Sequence, residues 1–159
     1  LSAVLIGHDT LALECARLWA GAGHRLAAVA TRHDGLAAWA RAQGIGTVAP
    51  GPGIEARIDG LAFDWLLSVA NLDLLPESLL RLPARGAVNF HDAPLPERAG
   101  LNAPVWALLE GAEAHGIAWH LIEPGIDTGP LLAERRFPVA PEETALSLNA
   151  RCLAAALES

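Results

Sequence analysis

An amide and an imidazole lie two residues apart at the end of one short apolar run. Residues 86–91 (GAVNFH) have the pattern of a buried β-strand that ends in Asn89, Phe90 and His91. Because side chains alternate along a strand, Asn89 and His91 share one face, while Phe90 points to the other and is expected in the core. In an open α/β sheet, ligands bind beyond the carboxyl ends of the strands. The pattern therefore places a hydrogen-bond donor beside a titratable ring at the edge where ligands bind.

A carboxylate comes from a second, distant segment. Asp127 lies between Gly125 and Gly129, where the backbone can turn tightly and approach a ligand. We expect this loop to meet the end of the 86–91 strand, so that an amide, an imidazole and a carboxylate face one cleft. Such a set can stabilise an oxyanion and move protons during attack on a carbonyl carbon.

Alternating strands and helices are expected to position these residues. Four short apolar runs predict buried strands: 3–6, 26–30, 64–70 and 86–91. Helical segments are predicted between them at about 11–22, 36–42 and 76–80, so we expect a mostly parallel central sheet with helices on both faces. Two later strand-like segments, 117–122 and 131–139, are joined by a short connection and predict an antiparallel C-terminal pair. Residues 1–159 are expected to form a single catalytic domain.

Threonines are predicted to begin the first and the last helix. Thr10 precedes apolar residues at helical spacing, and Thr144 precedes a segment that runs to about Leu157. A threonine hydroxyl at the N-cap can accept a hydrogen bond from the first turn.

Charge and composition argue against several functional classes. The net charge is −7, lysine is absent and the arginines are scattered, so we expect no nucleic-acid partner. No run reaches the roughly 18 apolar residues of a membrane span, and no secretion signal is visible. A cytoplasmic domain without a membrane partner is therefore expected. Since the chain begins at Leu1, just before a strand-like run, we interpret it as a processed chain or a domain excised from a larger polypeptide.

Neither cysteines nor histidines predict a metal site. Cys15 and Cys152 lie in Ala/Leu-rich segments and are predicted to be buried free thiols. His115 and His120 are five residues apart on a strand-like segment, so they are expected on opposite faces and not as a pair of metal ligands.

Three stretches together resemble the catalytic domain of folate-dependent formyltransferases. They are LLPESLLRLPARGAVNFH (74–91), VNFHDAPLPERAGLNAP (88–104) and GIDTGPLL (125–132). The resemblance spans essentially the whole chain, including the opening strand-helix-strand. Residues 89–104 are also similar to the formyltransferase-like domains of peptide and polyketide synthetases. The chain departs from the family pattern at Ala93, Pro94 and Ala99, where the family has serine, leucine and a basic residue.

The resemblance implies a Rossmann-like formyltransferase fold, 10-formyltetrahydrofolate as co-substrate and no metal. It implies catalytic roles for Asn89, His91 and Asp127. It places the pterin ring of the folate against five positions: Leu72, Leu74, Ile122, Glu123 and Gly125. The two leucines are equally well interpreted as core residues. Asp92 and Asn102 flank the motif and are candidates either to contact the acceptor amine or to shape the loop by hydrogen bonds.

Three functions remain open at this point. The first is formyl transfer to a primary amine, either a small amine or an aminoacyl thioester on a carrier protein, with adjacent synthetase domains as partners. The second is a formyltetrahydrofolate hydrolase, in which water replaces the amine. The third is a non-catalytic formyltransferase-like module of a synthetase.

Overall fold

The computed structural model describes residues 1–159, which form two compact units, residues 1–89 and 90–159. That the whole chain acts as a single catalytic domain stays a prediction. None of the helices is long and apolar enough to cross a membrane.

The first unit is built on parallel strands. Its elements are β1 (Ser2–Gly7), α1 (Thr10–Gly21), β2 (Arg25–Ala30), α2 (Asp34–Ala42), β3 (Thr47–Val48), α3 (Ile54–Arg57), β4 (Trp65–Val69), α4 (Glu77–Leu80) and β5 (Gly86–His91), whose last two residues belong to the second unit. The strands pair in the order β3-β2-β1-β4-β5, all parallel. The predicted parallel sheet is therefore confirmed, and the strand order reverses beside β1, where such sheets bind ligands.

The apolar runs form the core of this unit. Ala3, Val4 and Leu5 of β1 are fully buried, and Leu66 of β4 is too. Helix α1 packs against β1 and β2. Strands that are apolar on both faces are expected where helices cover both sides of a sheet.

Helix α1 begins differently from the prediction. Its N-cap is Asp9, whose Oδ1 accepts hydrogen bonds from the Leu11 and Ala12 N–H groups at 2.8 and 3.3 Å. Thr10 is instead the first helical residue, so the predicted cap was one residue late. Aspartate and threonine are both good N-cap residues, and sequence spacing alone does not choose between neighbours.

The second unit contains an antiparallel strand pair and two helices. Its elements are α5 (Ala103–Leu109), β6 (Ala114–Leu121), β7 (Leu131–Pro138) and α6 (Ala145–Leu157). The pairing of β6 with β7 is antiparallel, as predicted, with a register irregularity between Trp119 and His120. Thr144 caps α6 and forms a capping box with Ser147, which confirms the predicted start of that helix.

Strand β6 begins three residues before its predicted start. His115 and Gly116 interrupt the apolar run in the sequence, yet both are buried.

Both cysteines are free thiols: Cys152 is buried on α6, and Cys15 is half-buried. Phe90 is also buried, as predicted, with its ring centroid 5.2 Å from that of Trp119.

Candidate active site

His91 ends β5 and is held by the loop that follows it. Its side chain is only 7% exposed. The ring nitrogen Nε2 lies 2.6 Å from the carbonyl oxygen of Arg98. A carbonyl can only accept, so Nε2 carries the hydrogen and donates it. The other nitrogen, Nδ1, is therefore the atom left to face the rest of the site.

The loop that supplies this carbonyl is itself well anchored. Ala93, Pro94 and Leu95 are buried, the Arg98 N–H donates to the Pro94 carbonyl at 3.1 Å, and the Arg98 guanidinium lies 2.7 Å from Glu110. Ala93 is fully buried, so a small apolar side chain suits this position, at which the formyltransferase pattern described above has serine.

Asp127 reaches this site from the connection between β6 and β7. Its Oδ2 lies 3.6 Å from His91 Nδ1 and accepts a hydrogen bond from the Gly100 N–H at 2.8 Å. The structure thus brings together the imidazole and the carboxylate that the sequence predicted would meet. Gly100 belongs to the same loop as Arg98, so this loop contacts both side chains.

Backbone geometry explains how Asp127 is presented. Its own φ is +52°, in the left-handed region that aspartate tolerates better than most residues. Gly125 has φ +126°. A Cβ at Gly129 would lie 1.8 Å from the carbonyl oxygen of Leu121, so only glycine fits there. Gly129 therefore holds the loop tightly against the end of β6, and Gly125 provides the positive φ that the turn before Asp127 needs.

A second imidazole, that of His120, contacts Asp127, although the sequence predicted no role for it at this site. His120 Nε2 lies 3.4 Å from Asp127 Oδ1, and its side chain is 3% exposed. Its Nδ1 lies 2.8 Å from the Leu121 carbonyl and donates to it. The signal that would have found His120 is its place at the end of the strand that leads directly into the Asp127 loop.

The surroundings of Asp127 favour its ionised form. Burial on its own would raise the pKa of this carboxyl group. Hydrogen bonding with His120 and with the Gly100 N–H, together with the nearby His91, outweighs burial and holds the pKa of Asp127 below its usual value.

Buried groups also fix the residue after His91. The carbonyl of Asp92 accepts from His115 Nε2 at 2.8 Å and from Cys152 Sγ at 3.7 Å. Burial raises the pKa of the Asp92 carboxyl group, although His91 acts in the opposite direction. His115 is fully buried, and burial lowers its pKa. The main chain at Asp92 is thus anchored from β6 and α6.

The remaining predicted site residues are placed as follows. Asn89 is half-buried in β5, two residues before His91, and its backbone position pairs with Ser68 of β4. Leu72 and Leu74 follow β4 and are 79% and 86% exposed, so they are not core residues. In the second unit, Ile122 is half-buried while Glu123 and Gly125 are exposed. Asn102 is exposed, with φ +59°, at the N-cap of α5.

A surface cavity of about 310 Å³ borders the loop that holds His91. It is lined by seven residues: Glu97, Arg98, Ala99, Leu101, Ala103, Trp106 and Glu110. Leu101 and Trp106 are 65% and 55% exposed, so its rim is partly apolar.

Comparison with known families gives a match over most of the chain. The family model described as "Formyl transferase" matches residues 50–158, which is more than half of the chain and includes His91, His120 and Asp127.

Curated relatives match over part of their length. The methionyl-tRNA formyltransferase of Acidithiobacillus ferrooxidans is 37% identical over 137 residues, which cover 83% of this chain and 42% of the relative. The methionyl-tRNA formyltransferase of Geobacter sulfurreducens is 38% identical over 91 residues, which cover 57% of this chain and 29% of that protein. The chain therefore spans less than half the length of these relatives.

Solved structures share the fold. Glycinamide ribonucleotide transformylase 1 from Symbiobacterium toebii superposes with a TM-score of 0.88 at 24% identity, covering 99% of this chain and 82% of that one. A formyltetrahydrofolate deformylase from Pseudomonas syringae pv. tomato gives a TM-score of 0.87 at 18% identity, covering 99% of this chain and 57% of that one.

Proposed function

Because the chain belongs to the formyl transferase family, we propose that it transfers a formyl group from 10-formyltetrahydrofolate to a primary amine. The observation that carries this proposal is the contact between His91 Nδ1 and Asp127 Oδ2 at 3.6 Å, inside the segment that matches the family. The amine nitrogen bonds to the formyl carbon, and the carbonyl electron pair moves to oxygen. The bond from that carbon to the folate nitrogen then breaks, so the amine loses one proton and the folate nitrogen gains one.

Asn89, His91 and Asp127 are the proposed catalytic residues. Asn89 lies two residues before His91 on one strand, which favours donation from both side chains to the developing oxyanion. Asp127, whose pKa is lowered, is ionised near neutral pH and is suited to stabilise a protonated His91 or to accept a proton through water.

Both ring nitrogens of His91 have partners, Nε2 at Arg98 and Nδ1 at Asp127. For the ring to donate to the formyl oxygen, one partner must be exchanged. We propose that the substrate oxygen replaces the neutral Arg98 carbonyl, because a doubly protonated His91 then keeps its other N–H directed at the charged Asp127 carboxylate.

The folate is proposed to lie against two exposed leucines and the Asp127 loop. Leu72 and Leu74 expose most of their apolar surface after β4, which favours contact with a flat ring. Ile122, Glu123 and Gly125 are proposed to contact the pterin from the 122–129 segment. Roles for Asp92 and Asn102 at the acceptor stay predictions.

Charge favours an acceptor other than a nucleic acid. The relatives named above act on methionyl-tRNA, whereas this chain carries a net charge of −7. Its arginines are largely paired with carboxylates, among them Arg135 with Glu158 and Arg151 with Glu143. We propose a small amine, free or as an aminoacyl group on a carrier protein.

The start of α1 also argues against an acceptor held by a phosphate group there. In related folds, phosphates bind the free N–H groups at the beginning of the first helix. Here the carboxylate of Asp9 already accepts two of those N–H groups. A second negative charge at this point is disfavoured.

The test is a formyl-transfer assay with 10-formyltetrahydrofolate and a panel of amines, comparing the unaltered chain with His91→Ala, Asp127→Ala and Asn89→Ala. We expect transfer by the unaltered chain, none by the first two variants, and a loss of about 10²–10³ in kcat for the third. Folding of each variant is checked by circular dichroism, and folate binding by calorimetric titration with a stable formyl-folate analogue. Near-normal turnover of His91→Ala or Asp127→Ala would refute the assignment.

Hydrolysis is the second candidate, because one structure of the same fold is a formyltetrahydrofolate deformylase. In that reaction water replaces the amine, and formate is released. Formate release at the same rate with and without amine would favour the hydrolase. Failure to bind the folate analogue at all would favour a non-catalytic module.

A further inference from the structure

An ion pair crosses the point of the first unit at which the strand order reverses. Arg32 follows β2 and Asp73 follows β4, and these two strands lie on either side of β1. A terminal nitrogen of the Arg32 guanidinium donates to Asp73 Oδ2 at 2.9 Å. We infer that Arg32 is a positioning residue that holds the loop after β4, residues 70–75, in the orientation that binds the folate. This inference rests on the proposed function, which places the folate against Leu72 and Leu74.

Asp73 lies between the two leucines that are proposed to contact the pterin. Leu72 and Leu74 are 79% and 86% exposed, so packing of their own side chains does little to hold them. A fixed Asp73 side chain therefore fixes the main chain that carries both leucines. Ordering this segment before the ligand arrives reduces the entropy that binding must overcome.

The side chain of Asn71 ties the loop to itself and to β4. Its Oδ1 accepts from the Asp73 N–H at 3.2 Å, and its Nδ2 donates to the Asp73 carbonyl at 2.9 Å. The same Nδ2 donates to Ser68 Oγ, near the end of β4, at 3.4 Å. The bond from Arg32 adds a contact of a different kind, because it joins this turn to the segment after β2, on the far side of β1.

His8 fixes the main chain from which Arg32 reaches Asp73. It follows β1, its side chain is 17% exposed, and its Nδ1 accepts from the Arg32 N–H at 3.3 Å. Burial and the nearby Arg32 lower the pKa of His8, which favours the neutral ring with its hydrogen on Nε2. That nitrogen lies 3.9 Å from Asp73 Oδ2. The segments after β1, β2 and β4 therefore meet around one carboxylate, at the edge where such sheets bind ligands.

The exposure of the pair sets the size of the expected effect. The side chains of Arg32 and Asp73 are 55% and 39% exposed, and exposed ion pairs stabilise weakly. We expect Arg32→Ala to raise the dissociation constant of the stable formyl-folate analogue by about three- to fivefold. Arg32→Asp should raise it by about 10- to 30-fold, because two carboxylates then face each other.

Exchanging the two charges tests the pairing directly. In the double variant Arg32→Asp/Asp73→Arg, the analogue should bind within about threefold of its affinity for the unaltered chain. Arg17→Ala is the matched control, since Arg17 pairs with Glu14 at 2.8 Å with similar exposed fractions of 50% and 36%, but within α1. This control should leave the dissociation constant unchanged.

A cycle of alanine variants gives the same test without new charges. Arg32→Ala, Asp73→Ala and their combination are compared by calorimetric titration, and the melting temperature of each is measured. We expect the combined variant to bind the analogue about as well as either single variant, because each substitution removes the same contact. Effects that add in full would show that the two side chains do not act through each other, and would overturn the inference.

Kinetics separate positioning from a direct role in binding the acceptor. For Arg32→Ala we expect KM for 10-formyltetrahydrofolate to rise with the dissociation constant of the analogue. The kcat at saturating folate and the KM for the amine should stay within about twofold. A rise confined to the KM for the amine would overturn the inference, since Arg32 would then contact the acceptor.

The remaining outcomes distinguish this inference from the proposed function. If the unaltered chain binds the analogue and transfers formyl groups, but Arg32→Ala binds as tightly as Arg17→Ala, only the positioning role is wrong. Absence of recovery in a charge-exchanged variant that melts at the same temperature as the unaltered chain leads to the same conclusion. If the unaltered chain binds no folate analogue, the proposed function itself fails.

Discussion

His91 donates its Nε2–H to the carbonyl of Arg98 at 2.6 Å, so its Nδ1 faces Asp127. The tautomer of this imidazole is therefore set by main-chain geometry. The carboxylate at 3.6 Å then interacts best with a ring that has gained a second proton. Charge on Asp127, and not only its hydrogen-bonding capacity, should matter for activity.

Asp127→Asn tests the importance of that charge. Asparagine retains an oxygen that can accept from the Gly100 N–H, but it cannot stabilise a protonated His91. We expect kcat to fall by about 10²–10³ while the melting temperature changes by no more than about 3 °C. A kcat within threefold of the unaltered chain would show that charge at this position is dispensable.

Gly129→Ala should displace the Asp127 loop. The added Cβ would lie 1.8 Å from the Leu121 carbonyl oxygen. Because the Cβ is fixed to the main chain at residue 129 and the oxygen belongs to the main chain at Leu121, one of the two backbone segments must move. We expect the free energy of unfolding to fall by about 1–3 kcal/mol and kcat to fall with it. Urea unfolding and the transfer assay measure the two effects.

Gly21→Ala is the matched control for that substitution. Gly21 ends α1, and a Cβ there meets nothing within 4 Å. Alanine should leave activity unchanged and stabilise the helix by up to about 1 kcal/mol. If Gly129→Ala behaves like Gly21→Ala, the close approach to Leu121 does not constrain the loop.

His115 should make stability depend on pH. Burial lowers the pKa of this imidazole, and its Nδ1 is buried without a hydrogen-bond partner. The unfolded chain therefore takes up the proton more readily than the folded chain. The resulting stability is present above the ordinary histidine pKa of about 6.5 and is lost as the pH falls below it.

His115→Leu isolates this effect. Urea unfolding between pH 7.5 and 5.5 should show a smaller loss of stability in the variant than in the unaltered chain. Burial also lowers the pKa of His8, but His8 is present in both proteins, so the difference between them reports on His115. Identical pH dependence in the two proteins would contradict the prediction.

Asp9→Ala tests the cap of α1. Losing the carboxylate leaves the Leu11 and Ala12 N–H groups without that acceptor, which should cost about 1 kcal/mol. Asp9→Asn keeps an acceptor at the same place and should remain within a few tenths of a kcal/mol. Equal stabilities of the two variants would mean that the cap contributes little.

The sequence predicted secondary-structure elements and loops better than it predicted which side chains contact one another and which are buried. Apolar runs located β1, β2, β4 and β5, because burial on both faces of a parallel sheet demands them. The glycines flanking Asp127 indicated a tight loop, and that loop does contact the end of β5. His120 was missed, because strand alternation separates it from His115 without saying what lies on either face. Leu72 and Leu74 were ambiguous for a similar reason: hydrophobicity does not distinguish a core leucine from an exposed one.

Both imidazoles at Asp127 commit one nitrogen to an oxygen of the polypeptide backbone, at Arg98 and at Leu121. A carbonyl oxygen is present whatever amino acid occupies those positions. Residues 98 and 121 can therefore diverge without altering which ring nitrogens meet the carboxylate. The side chains around the reactive groups can therefore change to suit a different acceptor, while the ring nitrogens that carry the hydrogens of His91 and His120 stay the same.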